Sequence, residues 1–316
     1  MANYVKISCL GPSPAIMDMK LPLNEVLQQM IQHWQKQLDH VLPDKPDIIV
    51  LPEACDRPES NYYTLERRLE YYRYRKHAMR DFFSRISREN NCYIAYSAHV
   101  EAADGSWRNA TQWLDRTGAV IGVYHKNHLV PMEYEEAGIL YGNAAPILRL
   151  DFGTVASAIC FDLNFEQLRQ QYEKAKPDII VFSSMYHGGL MQPYWAYSCR
   201  SFFAGAVASL PCTILNRVGD VVASSTNYYP FVTTTVNLDS AVIHIDNNHF
   251  RFQEIKEKYG SDVIIYDPGF LGAVQISSES KAFSIQDIID EFQLERVDDY
   301  FNDSLAHRSE PGRIEM

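Results

Sequence analysis

The hexapeptide KPDIIV occurs twice in this chain, in KPDIIVLPE at 45–53 and in KPDIIVFSS at 176–184. Each copy follows a helix-like segment. Before the first, Leu23, Leu27, Met30, Trp34, Leu38 and Val41 recur at steps of three and four residues, which places them on one helical face. Before the second lies the shorter NFEQLRQQYEKA. Each helix is itself preceded by a strand-like run, YVKISCL at 4–10 and TVASAIC at 154–160. Both halves therefore read strand, helix, strand with apolar strands, the pattern of an α/β fold with buried sheets. Two such halves predict two sheets related by internal pseudo-symmetry.

Further strands are expected in CYIAYSAHV (92–100), in TQWLDRTGAVIGVYHK with a turn at Thr117-Gly118, and in APILRLDFGTVAS. YWAYSCRSFFAGAVASL reads as a helix and CTILNRV as a strand. From about residue 260 the composition shifts, and SIQDIIDEFQLERVDDYFNDSLAHR is acidic and amphipathic. The expected organisation is a main domain over 1–260 and a C-terminal extension over 261–316, the latter packing on a partner subunit.

Composition removes several function classes. A formal net charge of −11 argues against a nucleic-acid partner, because phosphate binders need clustered Lys and Arg. The one basic cluster, RYRKHAMR at 73–80, has helix-like spacing and reads as a solvated helix face. No apolar run reaches the ~18 residues of a membrane span. The N-terminus lacks the apolar core of a secretory signal. Six cysteines without paired spacing read as reduced thiols, so a cytoplasmic protein is expected.

In open α/β sheets, reactive groups collect at the carboxyl ends of strands. Glu53 ends DIIVLPE, Cys160 ends TVASAIC, and Lys126 lies just past VIGVYH. A thiol, a carboxylate and an ammonium make a workable set for acyl transfer. Cysteine attacks as thiolate and needs a base, which a desolvated glutamate supplies. A lysine stabilises the oxyanion that follows.

IIVLPEA, YHKNHLVP and SAICFDLNFEQLR resemble, in this order, the three signature blocks of the nitrilase superfamily, the carbon–nitrogen hydrolases. The resemblance continues through KPDIIVFSSMYHGG, RSFFAGAVAS and LNRVGD to VNLD at 236–239. It implies a four-layer α-β-β-α sandwich, assembled as a homodimer or higher homo-oligomer through the face carrying the nucleophile helix. It also implies a catalytic triad of Glu53, Lys126 and Cys160, with the backbone N–H of Phe161 completing the oxyanion hole. Of the glutamates in PMEYEEAG, Glu133 is preferred over Glu135 and Glu136 as a second active-site carboxylate. The implied reaction is hydrolysis of a small non-peptide amide or N-carbamoyl compound through a cysteine thioester, with no metal, nucleotide or organic cofactor. The alternatives are nitrile hydrolysis by the same triad and a non-catalytic interaction protein of the same fold. Members that attack nitriles usually carry Trp-Glu after the cysteine, whereas this chain has Phe161-Asp162.

Plainer readings compete at each position. Cys9, Cys92 and Cys212 lie in apolar runs and read as core residues, and Cys55 as structural. Alone, Glu53 would be a helix cap and Lys126 a surface lysine; only the combination lifts them. His125 and His128, three apart on a strand, would face opposite ways, so no metal site is expected. YHGG at 186–189 is read as shaping the substrate pocket together with Tyr134, Tyr186 and His187. The chain has no G-x-S-x-G, which removes a serine hydrolase. A Cys–His hydrolase or glutamine amidotransferase would flank its cysteine with glycines, and Cys160 lies between Ile159 and Phe161.

Overall fold

The computed structural model describes residues 1–315. Strand β1 (Tyr4–Leu10) leads into α1 (Leu23–Leu38), and β2 (Ile48–Val50) returns parallel to β1. Helices α2 (Leu65–Arg75) and α3 (Ala78–Asn90) precede β3 (Tyr93–Glu101), parallel to β2. Strands β4 (Trp107–Leu114) and β5 (Val120–His125) then fold back antiparallel. The short α4 (Pro131–Glu135) is followed by β6 (Leu148–Arg149) and β7 (Thr154–Ile159). One 3-10 turn over Cys160–Asn164 joins β7 to α5 (Glu166–Ala175), and β8 (Ile179–Ser184) returns parallel to β7. Helix α6 (Met191–Cys199) leads to β9 (Phe202–Val207), parallel to β8, then β10 (Thr213–Leu215), β11 (Val221–Ser224) and β12 (Phe231–Asn237).

These strands form two six-stranded sheets, ordered β12-β1-β2-β3-β4-β5 and β11-β10-β9-β8-β7-β6. Each holds three parallel strands followed by an antiparallel pair, β1-β2-β3 then β4-β5 and β7-β8-β9 then β10-β11. The two copies of KPDIIV supply β2 and β8, equivalent strands of the two sheets. The sheets face each other: Trp113 Nε1 donates to Ser157 Oγ at 2.9 Å and Ser183 Oγ to the Leu51 carbonyl at 2.7 Å. Helices cover the outer faces. Val26, Met30, Trp34 and Leu38 of α1 pack with Phe82, Phe83 and Ile86 of α3 over the first sheet. Leu168 and Tyr172 of α5 pack with Trp195 and Ala196 of α6 over the second. Each of the Val, Leu, Ile, Met and Phe side chains among these contributes about 1.5–3 kcal/mol relative to exposure. The result is the four-layer α-β-β-α sandwich.

Residues 5–235 form one compact unit; residues 1–4 and 236–315 form another. The second contains β13 (Ser240–His244), α7 (Arg251–Tyr259), β14 (Val263–Tyr266), β15 (Ala273–Ser278), α8 (Ile285–Phe292) and α9 (Val297–Arg308). Its sheet, ordered β13-β15-β14, shares a core of Ile243, Ile255, Ile276, Ile288 and Ile289 with α7 and α8. The division therefore precedes the compositional shift near 260, because β13 and α7 already belong to this core.

Two local expectations are corrected, and the C-terminal stretch is resolved into its elements. RSFFAGAVAS is not helical: Arg200 adopts φ +55° and ends α6, and Phe202–Val207 is the buried strand β9. A short, fully apolar run does not distinguish a buried strand from a buried helix. The basic stretch 73–80 is not one solvated face. Lys76, at φ +44°, breaks it into α2 and α3, and Arg75 turns inward to pair with buried Asp56 at 2.7 Å. The acidic C-terminal stretch is two helices, α8 and α9, separated where Gln293 turns left-handed.

Candidate active site

Glu53 lies three residues past β2, in a loop held from several sides. Trp34 Nε1 of α1 donates to the Cys55 carbonyl at 2.8 Å, and Cys55 N–H donates to the Ser97 carbonyl at 2.9 Å. Ala54 turns the chain at φ +45°, a region alanine rarely enters, so the turn is imposed by these contacts. The carboxylate that results is buried.

Lys126 follows β5 directly. Its N–H donates to the Asn109 carbonyl of β4 and its carbonyl accepts from Gly142 N–H, both at 2.8 Å. The side chain is 1% exposed. Its Nζ lies 2.8 Å from Glu53 Oε1 and 2.7 Å from Glu133 Oε2. Asn109 Nδ2 bridges the same carboxylates, 2.8 Å from Glu53 Oε1 and 2.8 Å from Glu133 Oε1. Glu133, in the first turn of α4, also accepts from Val130 N–H at 2.9 Å. Glu135 and Glu136, on the same segment, are exposed.

Cys160 occupies the elbow between β7 and the 3-10 turn, at φ +48°. Of the six cysteines it alone is half-buried; the other five are buried. A left-handed non-glycine residue between strand and helix projects its side chain away from both, the geometry used to present nucleophiles. Among the described residues, no acceptor pairs with the N–H of Phe161.

Asp162 holds this elbow in place. Fully buried, it accepts from Ile159 N–H at 3.0 Å, from His128 N–H at 2.8 Å and from Tyr124 O–H at 2.6 Å, with His128 Nδ1 at 3.0 Å. Tyr124 and His128 flank Lys126 in sequence, so one carboxylate ties the lysine segment to the cysteine turn. His128 also stacks on Phe165, with centroids 4.1 Å apart.

The electrostatics follow from burial and neighbours. Burial raises the Glu53 pKa, but the Lys126 ammonium and hydrogen bonds from Lys126, Cys160 and Asn109 outweigh it and hold the carboxyl below its ordinary value. Burial would lower Lys126; Glu53 and Glu133 instead hold it raised and charged. Burial first, then the Glu53 charge, pushes the Cys160 thiol up to about 12, although Lys126 and Ser184 oppose this. The resting site is therefore a neutral thiol beside two carboxylates and one ammonium.

Of the residues expected to shape a pocket, Tyr186 is half-buried, packs against the same core cluster as Cys160 and accepts from Asn164 Nδ2 at 3.0 Å. The His187 ring accepts from Gly189 N–H at 3.2 Å. Tyr134 is exposed on α4. Sequence reasoning missed Asn109 and gave Asp162 no physical role. Asn109 carries no motif, and its register opposite His99 on β3 is visible only once the strands pair.

The family model for carbon–nitrogen hydrolases matches residues 15–243. A Staphylococcus lugdunensis protein described as a hydrolase in the agr operon is 31% identical over 124 residues; the match covers 39% of this chain and about half, 51%, of that relative. Among solved structures, a Saccharomyces cerevisiae member of branch 10 of the nitrilase superfamily superposes with a TM-score of 0.60. It is 14% identical, over 74% of this chain and 90% of that one. An amidase from Nesterenkonia sp. AN1, in a mutant form with acrylamide added to its active-site cysteine, gives a TM-score of 0.58. It is 13% identical, over 81% of this chain and 99% of the amidase.

Proposed function

Because the chain belongs to the carbon–nitrogen hydrolase family, we propose that it hydrolyses a small non-peptide amide or N-carbamoyl compound through a thioester on Cys160. The observation that carries this reading is the left-handed Cys160 elbow set against the buried Glu53–Lys126–Glu133 cluster. As the sulfur adds to the substrate carbonyl, Glu53 takes its proton. A thiol held near 12 is not ionised beforehand, so proton transfer accompanies attack. The tetrahedral oxyanion is held by Lys126 Nζ and the unpaired Phe161 N–H. Glu53 returns the proton to the leaving nitrogen, which departs as ammonia or an amine. Water, deprotonated by Glu53, then cleaves the thioester. Glu133 and Asn109 hold Lys126 and Glu53 at these distances, and Asp162 aligns the two segments that must meet. A structural neighbour that is an amidase with an acrylamide-reactive cysteine supports a cysteine nucleophile.

The test is Cys160→Ala, assayed as ammonia release across a panel of primary amides and carbamoyl compounds. Turnover falls below about a hundredth of wild type, while the circular dichroism spectrum and melting curve stay near wild type. Substantial residual turnover by Cys160→Ala overturns the assignment.

A further inference from the structure

A cavity of about 720 Å³ lies on the outer face of the first sheet, turned away from the catalytic groups. Along β4, Trp113 reaches Ser157 of the second sheet, and Asn109, on the same face, reaches Glu53. Residues of opposite parity point the other way, so Gln112 faces outward and lines the cavity. Its strand partners Tyr96 and Val123 line it too. The volume falls within the ~300–1,000 Å³ of small-molecule sites.

Gln112 is only 9% exposed, yet among the described residues its side-chain amide has no hydrogen-bond partner. Neither amide atom is sealed off, so its remaining exposure opens on the cavity. A polar group this deep in a fold is ordinarily paired.

The start of α3 stands at the same cavity, which its N-cap His77 and first-turn Arg80 both line. This thirteen-residue helix has no side-chain cap, and among the described residues the N–H groups of Ala78, Met79 and Arg80 have no backbone acceptor. An uncapped helix start attracts anions. Phe83, one turn past Arg80, packs on Tyr96, the residue paired with Gln112, so helix start and amide lie toward one end of the cavity. Lys76 adds a cation with no partner among the described residues, and Arg80 engages Asp81 through Nε and Nη2, leaving Nη1 free. Arg75 also lines the cavity but is already paired with Asp56 at 2.7 Å. Glu101, exposed, is the only acid on the wall among the described residues. The floor is apolar, and Val120 and Val123 on it are 42% and 39% exposed.

From this we infer that the cavity binds a small organic anion. Its charged head is held by the α3 start, Lys76, Arg80 Nη1 and the Gln112 amide, and its apolar body lies on Val120 and Val123. The inference does not depend on the proposed hydrolysis.

The experiment is isothermal titration of the full chain with phenyl phosphate and phenylacetate, which share an aromatic body and differ in the anionic head. Inorganic phosphate and phenol each supply one half of the ligand. At least one aromatic anion binds at a single site with Kd below about 1 mM, at least about tenfold tighter than phosphate or phenol. Gln112→Leu, which keeps the bulk and removes the amide, weakens it at least about fivefold. The double variant Lys76→Gln/Arg80→Gln does the same from the other wall, while Cys160→Ala binds as wild type. Melting curves near wild type show that the variants are folded, and either one suffices for the test. No saturable binding of either anion overturns the proposal, as does binding unchanged in the folded variants. Loss of binding in Cys160→Ala would place the ligand in the active site and also overturn it. Phenol binding as tightly as the anions removes the anion site, and phosphate binding as tightly removes the apolar one.

Discussion

Lys126→Met isolates the electrostatic core of the site. The substitution keeps a stem of similar length but removes the ammonium that lies 2.8 Å from Glu53 and 2.7 Å from Glu133. Breaking a buried ion pair by removing one partner costs about 3–5 kcal/mol, because the remaining charge loses its compensation. For a unit of this size each kcal/mol lowers Tm by about 2–4 °C, so the variant melts about 6–20 °C below wild type at pH 7. The pH dependence identifies the cause. In wild type the Glu53 pKa is lowered, so its contribution is present above the unfolded value and is lost as pH falls through the folded one. In the variant, burial is opposed only by the hydrogen bonds from Cys160 and Asn109, and the Glu53 pKa rises. The penalty is then full at neutral pH and is relieved as acid protonates the carboxyl. The melting difference between the two proteins therefore narrows from pH 7 toward pH ~4.5. Adding Glu133→Gln to Lys126→Met removes the second uncompensated carboxylate and restores part of the loss. A melting difference that is under about 2 °C, or that does not change with pH, would refute the argument.

Other perturbations test separate parts of the account. Asp162→Ala leaves Tyr124 O–H and two backbone N–H groups without acceptors, and turnover falls at least about tenfold with a lower Tm; wild-type kinetics would remove Asp162 from the account. Gly142→Ala would set a Cβ 2.2 Å from the His125 carbonyl oxygen, displacing the loop that holds Lys126 at a cost of about 1–3 kcal/mol, read by urea denaturation; an unchanged midpoint counts against it. Since Glu53 ionises below its ordinary value and Cys160 far above neutrality, kcat/KM is level between about pH 6 and 9; a thiol-like rise near pH 8 would show that the resting thiolate attacks. Matched nitrile and amide pairs give faster acid formation from the amide, and the reverse order would favour nitrile chemistry. The homodimer implied by the resemblance gives twice the monomer mass in light scattering, and a monomer refutes it.

Much of the architecture was legible because it repeats. KPDIIV marked β2 and β8, and apolar runs ending in Glu53, Cys160 and Lys126 marked where strands deliver side chains. What stayed hidden depends on pairing between distant segments. β9 was taken for helix because FFAGAV is buried on both faces and carries no alternation. Arg75 looked solvent-facing because its partner, Asp56, lies on another loop. Asp162 appeared only as the second residue after the cysteine, with no account of why an acid should stand there; its contacts with Ile159, His128 and Tyr124 give that reason.

The central claim is that the acyl group is carried on Cys160, and acid-quench mass spectrometry during turnover tests it most directly. The account predicts a mass increment equal to the acyl portion of the substrate, located by proteolysis on the peptide containing Cys160 and absent from Cys160→Ala, which does not turn over. Rapid turnover with no adduct at any quench time, or an adduct on another residue with Cys160→Ala still active, would contradict it.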